Sequence, residues 1–99
     1  MLVRIKISTV ENAPKFIELV YILHASAMQA LGKLKNPLTD KVERNLEQAQ
    51  HSIDMLVMLR DKTKGNLSAQ ESSVLNAMIS ELQLNYVDES NKDKNVTVN

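Results

Sequence analysis

Lys62–Glu71 reads KTKGNLSAQE, and whether it is a ligand loop or a corner between helices decides the fold. Lysines, a glycine and a hydroxyl ahead of a helix suggest a phosphate cradle. A phosphate loop of that kind needs two glycines at fixed spacing, Lys-Ser/Thr after the second, and a strand before it. Here one glycine follows a helical pattern. Gly65 suits the left-handed conformation that ends a helix, and Leu67 can tuck inward behind it. Ser68-Ala69-Gln70-Glu71 has the spacing of a capping box, in which the serine and the glutamate answer each other's backbone N–H groups. Lys62 and Lys64 fall in a last turn, where positive charge offsets the helix dipole. The stretch is therefore read as a corner that joins two antiparallel helices.

Working outward, the helix before the corner starts at Asn45. Asn45-Leu46-Glu47-Gln48 has the form of another capping box. Leu46, Ala49, Ile53, Leu56 and Val57 make its main apolar face, and Met55, Met58 and Leu59 a second one. The helix after the corner runs from Ala69 to about Val87 by its apolar spacing. Its face is Leu75, Met78, Ile79, Leu82 and Tyr86, extended by Val74 and Val87. Asp88–Asn99, DESNKDKNVTVN, is polar and uncapped, which predicts a flexible, disordered C-terminal tail over residues 88–99.

Upstream, a first helix is expected from near Pro14, a residue suited to a first turn, with Asn12 as cap. It runs to about Leu31 and stops at Gly32. Phe16, Val20, Leu23, Ala27, Ala30 and Leu31 form one stripe; Ile17, Tyr21 and Met28 widen it; Leu19 and Ile22 reach the remaining sides. A helix apolar nearly all round must be covered on several sides. Ala25, Ser26, Ala27 and Ala30 are small enough for another helix to approach closely. The connector Lys33–Arg44 carries the turn signal Asn36-Pro37. At the start, Val3, Ile5 and Ile7 alternate with Arg4, Lys6 and Ser8, the period of a strand. A lone strand leaves its backbone groups unpaired, so residues 1–12 are expected as an extended arm, loose or pairing between subunits. The expected fold is all-α: arm 1–12, a three-helix domain over 13–87 with a hairpin of helices 2 and 3, and the tail.

Composition narrows the function. The 99 residues carry 12 Lys+Arg, 12 Asp+Glu and no cysteine. Zero net charge supplies no global field toward nucleic acid or an anionic membrane. The missing thiols exclude disulfides, thiolate zinc sites and cysteine chemistry. The apolar run Phe16–Leu23 is interrupted by Glu18 and is far short of the ~20 residues that span a bilayer. A cytoplasmic location is expected.

The segment Phe16–Val87 resembles an uncharacterised bacterial family, domain of unknown function 1844. The carrying residues are Ala30-Leu31-Gly32, Leu46-Glu47-Gln48-Ala49, Ile53-Asp54-Met55-Leu56, the run Lys62-Thr63-Lys64-Gly65-Asn66-Leu67-Ser68 with Glu71, and Leu82, Tyr86 and Val87. The resemblance implies an all-helical fold and carries no activity. The family has Thr at the position of Ser68 and Asp at that of Asn45, both interchangeable caps. It has arginines where this chain has Gln83 and Asn85.

No residues form a catalytic constellation, and no cofactor is implied. Glu47, His51 and Asp54 share one side of helix 2 at a spacing a metal can use, but the set lacks further ligands, and a solvated polar face explains it as well. Asp54 sits among Ile53, Met55 and Leu56 in sequence, which predicts a stabilising bond to a loop N–H or a lysine. Met28, Met55, Met58 and Met78 read mostly as core filler, the remainder as an adaptable surface. Lys33, Lys35, Lys41, Lys62 and Lys64 offer a local patch, with Lys62, Lys64 and Ser68 as a candidate anion site at the start of helix 3. The leading expectation is a non-enzymatic protein that pairs with itself as a homodimer or small oligomer through Phe16, Ile17, Leu19, Val20, Ile22, Leu23 and Met28. The alternative is a weak RNA- or ribosome-associated binder that uses the lysines.

Overall fold

The computed structural model describes the backbone of residues 2–98 and the side chains of residues 14–94. Three helices follow one another: α1 (Leu2–Ala30), α2 (Leu46–Lys62) and α3 (Ala69–Val98). Each packs against the other two.

The corner is as its residues dictate. Gly65 takes φ +85°, which a side-chain-bearing residue adopts only with strain. The Thr63 N–H and hydroxyl both donate to Leu59 O, at 3.0 and 2.7 Å, and the Asn66 N–H donates to Thr63 O at 2.9 Å. These bonds occupy carbonyls that the end of α2 leaves open. Ser68 and Glu71 then close the capping box in both directions. The Glu71 N–H donates to Ser68 Oγ at 3.1 Å, and the Ser68 N–H to Glu71 Oε1 at 2.8 Å. Leu67 is half-buried against the core.

The end of α1 is equally determined. Gly32 has φ +81°. Its N–H donates to Gln29 O at 3.0 Å, and the Lys33 N–H donates to Met28 O at 2.9 Å. This pair of bonds is the Schellman ending. The Asn45 cap works by half of the expected box. Asn45 Oδ1 accepts from the Gln48 N–H at 3.0 Å. The Asn45 N–H, expected to meet the Gln48 side chain, donates instead to Ala30 O at 2.7 Å. That bond, beside the Leu31–Arg44 bridge, fixes the start of α2 against the end of α1. The two helices therefore run antiparallel, and α3 returns parallel to α1.

One core fills the space between them: Val20 and Ala27 from α1 and Leu31 just past its end, Ala49, Ile53 and Leu56 from α2, and Leu75, Ile79 and Leu82 from α3. Phe16, Leu23 and Tyr86 pack around it. Small residues at Ala27 and Ala49 set how closely the helices approach.

Both ends of the chain differ from expectation. Residues 2–12, expected as an extended arm, are helix, and Pro14 lies inside α1 rather than at its first turn. A helix pairs its backbone groups internally, whereas a lone strand does not. The alternating side chains Val3, Ile5 and Ile7 lie outside the described residues. Residues 88–94, expected as the beginning of a tail, continue α3; the side chains of 95–99 lie outside the described residues. At 1.5 Å per residue α1 and α3 are each about 44 Å long and α2 about 26 Å. α1 overhangs at the corner end and α3 at the connector end. The radius of gyration is 16.5 Å, against about 13 Å for a compact domain of this length.

The two positive-φ glycines give a paired test. An added Cβ at Gly32 meets Arg44 Cβ at 3.4 Å and Cγ at 3.5 Å, while at Gly65 it meets nothing within 4 Å. Gly65→Ala is expected to cost about 1–2 kcal/mol from backbone strain alone, and Gly32→Ala at least as much, read as the shift in urea midpoint at constant slope.

Candidate functional site

α1 points its apolar residues in more directions than the core occupies. Val20 and Ala27 face inward and are fully buried, whereas Leu19 remains 42 % exposed and Ile22 58 % exposed. On α2 the second apolar face divides: Leu59 packs on the core, while Met55 stays 37 % and Met58 47 % exposed. Met28 and Met78 pack against the core.

These exposed residues belong to one surface. Ser26 of α1 and Gln48 of α2 line the same shallow cleft, together with Gln29, Asn36, Glu43 and Asn45. Residues seven apart share a helix side. Leu19 lies seven before Ser26, and Met55 lies seven after Gln48. In an antiparallel pair these two steps run the same way for the same distance, which brings Leu19 and Met55 to one level across the groove. Ile22 and Met58 flank them. Exposed charges of both signs lie around them, Lys15 and Glu18 on α1 and Asp54, Asp61 and Lys62 on α2.

Of the residues expected at a self-association face, Leu19 and Ile22 therefore lie on the outer surface. Phe16, Ile17, Leu23 and Met28 are half-buried. Val20 is not on that surface; it lies in the protomer's own core.

At the expected anion site, Ser68 is engaged with Glu71, and that buried carboxylate already sits at the start of α3. A negative group there meets the helix dipole as a bound anion would and opposes a second negative charge. The lysines do not gather. Lys33, Lys35 and Lys41 belong to the connector at one end of α2, and Lys62 and Lys64 to the other end, about 26 Å away. Glu47 and His51 line a second shallow cleft with Asn45 and Gln48. Among the described residues no three carboxylate, histidine or cysteine side chains converge as a metal set.

Asp54 departs from its sequence reading. It is exposed and accepts from Gln50 Nε2 at 2.8 Å, one turn back on the same helix, rather than from a loop N–H or a lysine. His24 Nε2 is buried 3.4 Å from Glu81 Oε1 without hydrogen-bond alignment.

The largest polar cluster escaped the sequence reading. Glu89, on the part of α3 expected to be tail, is buried. Lys33 Nζ and Lys92 Nζ donate to its Oε2 at 2.8 and 2.7 Å. Arg44 Nη1 donates to its Oε1 at 3.2 Å and to its carbonyl at 3.3 Å. Arg44 also pairs with Asp93. Bonds from Lys33, then Lys92 and Arg44, outweigh burial and hold the Glu89 carboxyl at about 2, below its ordinary 4.5. The cluster ties both ends of the connector to α3. The local signal was the spacing of Glu89 and Lys92, three apart on one helix face; Lys33 and Arg44 are far away in sequence.

Glu89→Gln is expected to lower stability at pH 7 by about 1–3 kcal/mol, the scale of lost hydrogen bonds to a charged group. Because the folded carboxyl titrates below the unfolded one, its contribution is present above pH 4.5 and is lost as pH falls toward about 2. Urea titrations of both proteins across that window should therefore converge. Asp54→Asn, at an exposed position, should change stability by no more than about 0.5 kcal/mol.

No helix among the described residues is long and apolar enough to cross a membrane. No curated protein and no solved structure matches the chain. A family model does, over residues 13–89, a span that holds the corner, the core and Glu89 with Lys33 and Arg44, and leaves out Lys92, Asp93 and the N-terminal overhang of α1. The chain belongs to the family described as Domain of unknown function (DUF1844).

Proposed function

We propose that this protein is a non-enzymatic, cytoplasmic interaction protein that assembles with copies of itself through the surface formed by α1 and α2. The observation that carries the reading is the exposure of Leu19 and Ile22 on a helix whose opposite side already fills the core. With Met55 and Met58 beside them, they make an apolar patch rimmed by charge, the usual form of a protein–protein contact surface. A chain of this length has one modest core, so covering such a patch adds stability that the protomer alone lacks. Methionines suit the role because they adapt to the shape they meet.

Sedimentation equilibrium of the full chain is expected to give a mass that rises with concentration from one chain toward two. Ile22→Glu, at a position the protomer leaves open, should keep the helix content and reduce association at least tenfold, a difference of about 1.4 kcal/mol. A wild-type mass of one chain at every concentration would contradict the proposal.

A further inference from the structure

We draw no further inference here: the strongest candidate, the apolar surface patch at the tip of the connector, where Leu38 is 93 % exposed with Leu34 and Val42 open on either side, is unpartnered and nothing in the structure shows what covers it.

Discussion

The structure depends on a mismatch between one helix and one core. α1 carries apolar side chains around most of its circumference, but α2 and α3 approach it from one side only. The core takes Val20, Ala27 and Leu31. Leu19 and Ile22, one and two positions from Val20, are left outside by helical geometry: at about 100° per residue they point roughly 100° and 160° away from it. No rotation of α1 buries both sets. The patch is thus a consequence of how three helices meet, and the association proposed for it would relieve the cost of leaving apolar surface in water.

The connector is where the three helices are tied together. Its shape is fixed from three directions: the Gly32 ending of α1, the bond from the Asn45 N–H to Ala30 O, and the bonds of Lys33 and Arg44 to Glu89. Each orders the base of the loop that carries Leu38. The Glu89 cluster braces the loop from the overhanging end of α3. Three cations around one buried carboxylate also explain why a strongly polar segment stays helical where its composition gives no apolar face. The charge is compensated at the place where it is buried, the condition under which a buried carboxylate is tolerated.

Much of this was legible in the residues. The corner at Lys62–Glu71 could be read because its signals are local: a glycine that permits positive φ, a serine and a glutamate three apart, a leucine to turn inward. The core faces of α2 and α3 followed from spacing, except that Val87, read as extending the α3 face, is 56 % exposed. What could not be read shares one property, dependence on distant parts of the chain. Glu89 is ordered by Lys33, 56 positions away, so DESNKDKN looked like a tail. Asn45 has the sequence of a full capping box, yet its N–H is taken by Ala30 O, a partner set by tertiary packing. Val20 and Leu19 are equally apolar, and only the placement of α2 and α3 decides which is buried. Asp54 shows the converse: apolar neighbours in sequence do not surround a residue that a helix turns outward.

Side-chain accessibility is the most direct measure of the central mismatch. Methyl resonances of isoleucine can be followed in the full chain with a soluble paramagnetic agent, at low and at high protein concentration. Ile53 and Ile79 lie in the core and should be shielded in both samples. Ile22 should be strongly broadened when the protein is dilute and become protected as it is concentrated. Ile22 shielded in the dilute sample, or equally accessible in both, would contradict the account.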